Sequence, residues 1–434
     1  MLVRRPLYPG RSMGSLPLIL AQAGSGSGGF GGGGGGGGGS GFGFGGGSSG
    51  SGEGDPIVAL VVFGLFGIFL VYLAFHTIRY RRRLRERDRV VRTASAEAAE
   101  DDAYFASDEL ERHAVALFRA AQMAWDARDR EGLARLVGPD LLVEWKRRLD
   151  DFDRKGWHNR VEVLEDPTVL YVGITNREDD DEDRAVVRIA AELKAYVVDR
   201  AGHRVMRDDE KDEVVTLTEY WTLARRDGAW MVHSIEQRAE GDHHLDGRVV
   251  ASPWSDEQQL DDESLTELAV ADGLPEGFTT ADLAQVDFDG DARAHVLDLS
   301  LADARFAPDV LEAAARRAVG AWAEAVDGDD AALGRIASPE AVAGLLYGGD
   351  ATRETRLVVR GPRVKRIRIA AVQVDQVPAT MTVDVELGGR RYVEDRDTAA
   401  VVSGAKDSAA TFTERWVLAL DGPADAPWRI VGIA

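Results

Sequence analysis

The chain has no cysteine, so no disulfide framework and no thiolate-ligated zinc site can form, and its compartment leaves no trace in thiol usage. Lysine is scarce: six of the 52 basic residues, an arginine bias that speaks of a GC-rich bacterial genome rather than of a function. Neither a phosphate-cradling loop nor a dinucleotide fingerprint occurs. Positive charge is confined to one end. Residues 1–92 carry eleven arginines and four acids, net +7, which leaves −29 on the remainder of a chain whose total is −22. An acidic body repels phosphates, which excludes nucleic acid as a partner. It favours a partner that is basic or extended, although solubility alone would also explain the charge.

Long apolar runs are also missing, with one exception. Residues 56–75, "PIVALVVFGLFGIFLVYLAF", contain no charge. At ~1.5 Å per residue they span roughly 30 Å, the hydrocarbon core of a bilayer. A single transmembrane helix is expected over 56–78, with the lipid bilayer as its partner. Arg79, Arg81, Arg82, Arg83, Arg85, Arg87 and Arg89 follow at once. Arginine is retained on the cytoplasmic side during insertion, so the amino terminus is expected outside and the bulk of the chain in the cytoplasm, at a bacterial inner membrane. The same arginines can meet anionic headgroups. Ahead of the span, residues 1–23 have the basic start, short apolar run and Ala-Gln-Ala ending of a signal peptide, with cleavage left open. Residues 24–55 are almost only Gly, Ser and Phe, a composition that stays disordered. Residues 79–104 read as a basic juxtamembrane segment and linker.

The remainder repeats itself. "TLTEYWTLA" (216–224) returns as "TFTERWVLA" (411–419), "LARLVGPDLL" (133–142) as "LGRIASPEAV" (333–342), and "WMVHSI" (230–235) as "WRIVGI" (428–433). "AYVVDR" (195–200) resembles "RYVEDR" (391–396), and Trp125 faces Trp322 with a displacement of three positions that keeps one helical face. The order is the same in both copies, which reads as a duplicated domain. Each copy opens helical: Leu110, Ala114, Leu117, Phe118, Ala121 and Trp125 recur at three and four residues. Asp140 is placed to cap a second helix ending near Leu149. Val-, Thr- and aromatic-rich stretches follow, with Asp227-Gly228 as a hairpin turn. Helices followed by antiparallel strands give an α+β class. Alternation puts Leu217, Glu219, Trp221 and Leu223 on one face of a strand and Thr218, Tyr220 and Thr222 on the other.

Between the copies, residues 241–305 form an acidic linker in which 255–271 can make an amphipathic helix. Two small clusters there are read as bland. "DFDGDAR" (287–293) lacks the bidentate glutamate of a calcium loop. The histidines of "GDHHLDG" (241–247) are adjacent in one short loop and read as solvated. No metal and no cofactor is therefore expected.

"FRAAQMAWDARDREGLARLVGPDLLVEW", "NRVEVLED" and "EYWTLARRDGAWMVHSIEQ" resemble the Tim44-like domain, the domain of the inner-membrane tether of the mitochondrial import motor and of bacterial relatives. The resemblance covers about residues 105–240; 306–434 follow through their likeness to the first copy. It implies two tandem cone-shaped domains of the nuclear-transport-factor-two-like type (NTF2-like), each with a hydrophobic pocket, and it brings no catalytic residue. Trp125, Tyr196, Glu219, Trp221 and Trp230, with Trp322, Glu414, Trp416 and Trp428, are the candidate pocket or core residues. The function expected is that of a membrane-anchored binding or tethering protein, not an enzyme, linked to protein translocation or membrane-protein handling. The alternative is an isomerase- or dehydratase-like enzyme of the same fold, drawing on Glu219, Tyr220, His233 and Tyr196.

Overall fold

The computed structural model describes residues 56–205, 214–255, 286–350, 352–423 and 426–434, with side chains from 68 onward except that of 255. The leader (1–23), the glycine-rich segment (24–55) and the expected linker helix (255–271) lie outside these residues, apart from 255 itself. Among the described residues no helix is long and apolar enough to cross a membrane. The side chains of 56–67, more than half of the charge-free run, lie outside that statement.

The backbone over that run is the start of α1 (Pro56–Asp101), one helix of 46 residues and so roughly 70 Å long. Its second half is not a linker. Tyr80, Leu84, Arg87, Val91, Ala94 and Ala98 recur at three and four residues and turn toward the body; Val91, Ala94 and Ala98 are buried in its core. Ser95 Oγ donates to the Phe105 carbonyl at 2.7 Å, closing the chain reversal that follows. The density of arginine hides this stripe in the sequence.

Three helices follow, α2 (Ser107–Asp126), α3 (Arg130–Leu136) and α4 (Pro139–Lys155). The apolar face read from the sequence of α2 is buried throughout. Asp140 does not cap α4: the cap position is Gly138, Pro139 fills the first turn, and the helix runs on to Lys155 before Gly156 ends it. The strands are β1 (His158–Val163), β2 (Thr168–Thr175), β3 (Arg184–Val198), β4 (Val214–Arg226) and β5 (Ala229–Gln237). They form a curled antiparallel sheet in the order β1-β3-β4-β5, with β2 on the other half of β3. Asp227 and Gly228, both at positive φ, make the β4–β5 turn.

A second sheet has β6 (Val286–Phe288), β7 (Thr355–Gln373), β8 (Thr380–Asp395), β9 (Val401–Gly404), β10 (Ala410–Ala419) and β11 (Arg429–Ile433), in the order β11-β10-β8-β7-β6 with β9 on β8. One long strand, β7, pairs with both halves of β8, as β1 and β2 share β3. Corresponding neighbours recur. Trp221 lies between Val187 and Ile235, and Trp416 between Val383 and Ile433. The Trp230 indole donates to the Tyr104 carbonyl at 3.1 Å, and that of Trp428 to the Arg305 carbonyl at 3.0 Å. The chain is thus a mixture of helices and curled antiparallel sheet, with a separate apolar core above each sheet.

Two expected residues sit elsewhere than the sequence suggested. Trp322 packs against Trp416 at 5.6 Å between ring centres, the place that Phe118 holds beside Trp221 at 5.3 Å. Trp125 instead meets Trp145 edge-on and donates to Asn159 Oδ1 at 2.9 Å. Tyr196 is half-buried on the outer face of β3, between Lys194 and Arg204, because Ala195 and Val197 take the inward positions.

Both tryptophans at the sheet centres are fully buried. Trp221→Ala and Trp416→Ala should each cost ~3–5 kcal/mol in urea unfolding. A loss under about 1 kcal/mol, typical of a surface site, would remove that ring from the core.

Candidate functional site

Each sheet centre carries the same pairing of carboxyl and indole. Residues two apart on a strand share a face, so Glu219 stands beside Trp221 and Glu414 beside Trp416. The indoles donate to Glu219 Oε2 at 2.9 Å and to Glu414 Oε2 at 3.2 Å. Burial raises the Glu219 carboxyl well above the ordinary carboxylate range, against the pull of the indole hydrogen bond, and it also raises that of Glu414. Glu219 is buried in its core and Glu414 half-buried, and each is satisfied by its neighbouring indole. Tyr220 points the other way. Its ring is buried under α1, and its hydroxyl meets the Tyr80 hydroxyl at 3.2 Å and Asp242 Oδ1 at 3.1 Å.

Among the described residues, a series of buried and half-buried charges meets between the two sheets. Arg396 Nε donates to Glu144 Oε1 at 2.6 Å, with both side chains almost wholly buried. Arg147 and Arg154 both reach Asp397, at 2.7 and 3.0 Å. The Asp330 amide donates to Asp140 Oδ2 at 3.0 Å, which is the use Asp140 has in place of capping. His233 lies 3.9 Å from Asp329. Lys406 lies between Glu240 at 3.6 Å and Glu394 at 3.7 Å. Ala399, at positive φ in the β8–β9 turn, enters the apolar core of the first half.

One end of this seam holds two histidines that the sequence reading placed in a solvated loop. The 238–246 segment turns back under α1 and half-buries them instead. His244 Nε2 is 2.7 Å from Glu236 Oε1. His243 Nδ1 is 2.9 Å from the Glu240 carbonyl and 3.5 Å from Glu236 Oε2, while its Nε2 faces Asp327 Oδ2 at 3.5 Å. The two rings lie 4.1 Å apart. Gly361, at φ +58°, allows this approach: a Cβ there would stand 2.7 Å from His243 Cγ. Asp327 also accepts from Arg360, whose side chain is fully buried.

The charges shape one another. Burial by itself would lower His243, but Glu236, Asp327 and the Glu240 carbonyl outweigh it and hold the imidazolium up at about 9. Burial opposes ionisation of Asp327 too, yet His243 and Arg360 keep it below the ordinary carboxylate range. His233 is the opposite case: burial, with Arg184 nearby, pulls it down to about 4. Burial and the Asp330 charge push Asp140 up to about 6. Burial pushes Glu394 up to about 7, only partly offset by Lys406 and Arg148.

The basic cluster after the apolar run divides. Arg79, Arg81, Arg82, Arg85 and Arg89 are exposed. Arg83 pairs with Asp246, and Arg87 is buried, donating to the Val172 carbonyl at 2.5 Å and the Gly247 carbonyl at 2.8 Å. The candidate core aromatics Trp125, Trp221, Trp230, Trp322, Trp416 and Trp428 are all buried. Sequence reasoning missed the seam. One signal was present in α4, whose buried stripe of Leu141, Glu144, Trp145, Arg148 and Leu149 interleaves charges with apolar residues. The sequence "DFDGDAR" becomes the end of β6 and the start of a helix at Ala292.

Residues 91–237 match the model of the Tim44-like domain family. No curated protein matches the chain. Among solved structures, the intermembrane space region of chloroplast protein ARC6 is similar at 17% identity, TM-score 0.24, over 29% of this chain and 96% of that one. An "Ntf2 like protein involved in plasmid conjugation" is similar at 9% identity, TM-score 0.16, over 71% of this chain and 87% of that one.

Two outcomes follow from the seam. Glu144→Gln strands Arg396 and its buried neighbours and should cost ~3–5 kcal/mol. Arg396→Met should cost less, because Arg356 remains 3.9 Å from Glu144, and the double variant Glu144→Gln/Arg396→Met should recover more than 1 kcal/mol relative to additivity. Coupling under about 0.5 kcal/mol, as between distant sites, would mean the halves do not dock here. The second outcome concerns acid. His233 is neutral when folded (about 4) and titrates at 6.5 in the free chain, so the unfolded state binds more protons between those values. Its contribution is present above pH 6.5 and lost as pH falls through 4, on the order of 3 kcal/mol in all. Glu394 and Asp140 act in the opposite sense, so the test is a difference: unfolding midpoints of the parent and His233→Gln from pH 7 to 4.5 should converge. Parallel curves would place His233 in water.

Proposed function

We propose, from the Tim44-like domain that residues 91–237 form, that this chain is a membrane-anchored binding protein that presents its acidic body to the cytoplasm of a bacterial cell. The observation that carries the reading is α1. It runs unbroken from the charge-free segment at residue 56 to Asp101, and its second half is part of the domain core. Anchor and domain are therefore one rigid piece, with no hinge between them. In this reading residues 56–78 cross the inner membrane, Arg79, Arg81, Arg82, Arg85 and Arg89 stay on the cytoplasmic side, and the segment before the span lies outside, with residues 1–23 as its signal peptide, cleaved or retained.

The second half is a diverged copy of the first, so the body holds two tandem NTF2-like domains. Support comes from the matching runs β3-β4-β5 and β8-β10-β11 and from the repeated Glu–Trp pairing at the sheet centres. The partner is a basic or extended protein segment, drawn by the net charge of −29, and the role is one of tethering during translocation or membrane-protein handling. The enzymatic reading needs an open carboxylate beside a tyrosine hydroxyl. Glu219 is spent on Trp221, and the Tyr220 hydroxyl lies on the opposite face of β4.

A periplasm-dependent reporter fused after Ala434 should be silent and a cytoplasm-dependent one active, and the reverse pattern would overturn the orientation. Crosslinking from the full chain in cells should recover basic, extended segments, with an association rate that falls with salt. Turnover of a small carbonyl substrate, stopped by Glu219→Gln, would replace this reading with the enzymatic one.

A further inference from the structure

Three groups of side chains among the described residues bring ligand atoms close enough for one ion: Glu236 with His243 and His244, Asp102 with Asp180 and Asp183, and Asp140 with Asp329 and Asp330. The second already holds the Arg225 guanidinium, 3.0 Å from Asp180 and 3.3 Å from Asp183. The third offers only carboxylates, one of which accepts the Asp330 amide. The first differs in chemistry. Two imidazoles and one carboxylate are the donor set that borderline divalent ions take, in contrast to the all-oxygen sets of calcium and magnesium.

We propose that Glu236, His243 and His244 bind one divalent first-row transition ion of the zinc type, and that the ion locks the second half of the chain and α1 onto the first. Two further observations point the same way. Glu236 is 1% exposed, and its Oε2 has no hydrogen-bond partner among the described residues. That oxygen is aimed at the gap before His243 Nδ1, at 3.5 Å. Second, His243 turns its other nitrogen to Asp327, a carboxylate of the second half. A ligating histidine commonly donates its remaining N–H to a carboxylate, which fixes the ring and its tautomer.

The ion takes the place of two protons, that of His243 Nδ1 and that of His244 Nε2, which donate to the Glu240 carbonyl and Glu236 Oε1 without it, and both protons leave to solvent. The Glu240 carbonyl, which His243 Nδ1 meets, keeps Arg390 Nη1 at 3.5 Å. Three carboxylates, Glu236, Glu240 and Asp327, face Arg360 and Lys406 around the position, so the added charge is met by acids at short range. Each histidine side chain keeps 16% of its surface exposed, which leaves an edge for entry and a position for water beside the three donors.

The neighbours make the site a clamp. Asp242, directly before the histidines, accepts from Tyr220 and lies 3.4 Å from the Tyr80 hydroxyl of α1. Asp327 ends the helix Pro308–Asp327 of the second half. Binding that fixes His243 thus fixes elements from both halves and from α1, and the ion should stabilise the docked form by mass action.

The test uses the full chain in detergent, stripped with a chelator and titrated with cobalt(II), then zinc. One cobalt per chain, with the visible bands of a low-coordinate nitrogen–oxygen site, is expected, displaced by zinc. His244→Ala and Glu236→Gln should each weaken binding on the order of 100-fold, and Asp327→Asn, which keeps the three ligands but removes the charge that His243 Nε2 and Arg360 both face, by about 10–100-fold. Zinc should raise the unfolding temperature of the parent and of His203→Ala, an exposed histidine, but not of His244→Ala. If Glu236→Gln does not fold, Asp327→Asn and the zinc-induced shift decide. No cobalt binding, binding unchanged in His244→Ala and Asp327→Asn, or binding abolished by Asp330→Asn instead would each overturn the proposal.

Discussion

The arrangement of this molecule depends on charges that are out of water. Glu144 and Arg396 meet between the halves with almost no exposure, and Arg356 and Arg360 are buried close by, with His243 half-buried beside them. A buried charge without a partner is costly, and the partners have fixed directions. An apolar seam could slide by a residue and lose little. This one cannot, because a shift would separate Arg396 from Glu144 and His243 from Asp327 together. The burial of Ala399 in the first core adds an apolar peg to the same contact.

The first sheet is also covered on two sides. Its inner face lies under α2 and α4, with Trp221, Phe118 and Trp145 in the core. Its outer face receives α1 and the 238–246 turn, and Tyr220, Val172 and Leu245 are buried there. An antiparallel sheet can leave one face to water. Here that face is occupied by the helix that leads back to the apolar run, so whatever holds residues 56–75 also orients the domain. Arg87 makes the join specific, since its donors meet the carbonyls of Val172 and Gly247 from fixed directions.

The repeated phrase in the sequence has a local physical cause. A strand places residues two apart on one face, so Thr-Glu-x-Trp sets a carboxyl beside an indole that needs an acceptor once it is buried. The same words in two places therefore make the same contact, at 2.9 and 3.2 Å. Helical equivalence proved looser. Trp322 took the place of Phe118 rather than that of Trp125, because several positions along a helix share a face and the ring fills whichever gap the sheet leaves.

What the sequence determined by itself was the periodicity that apolar residues mark openly, which leaves out the arginine-masked stripe of α1. The three-to-four spacing of Leu110, Ala114, Leu117, Phe118, Ala121 and Trp125 produced the buried face of α2. Asp227-Gly228 produced its turn, and alternation put Glu219 and Trp221 inward. Those features depend on neighbours within a few residues, so the local chain decides them. The tertiary structure decided the rest. His243 and His244 look like loop residues until Gly361, more than a hundred positions away, closes over them. Tyr196 alternates into an outward position that only the β1–β3 register fixes. Arg83 and Arg87 are indistinguishable in sequence from the exposed arginines beside them. Which arginine is buried depends on which side of α1 the first sheet covers, and that is set by contacts with Val172 and Gly247 that no local pattern records.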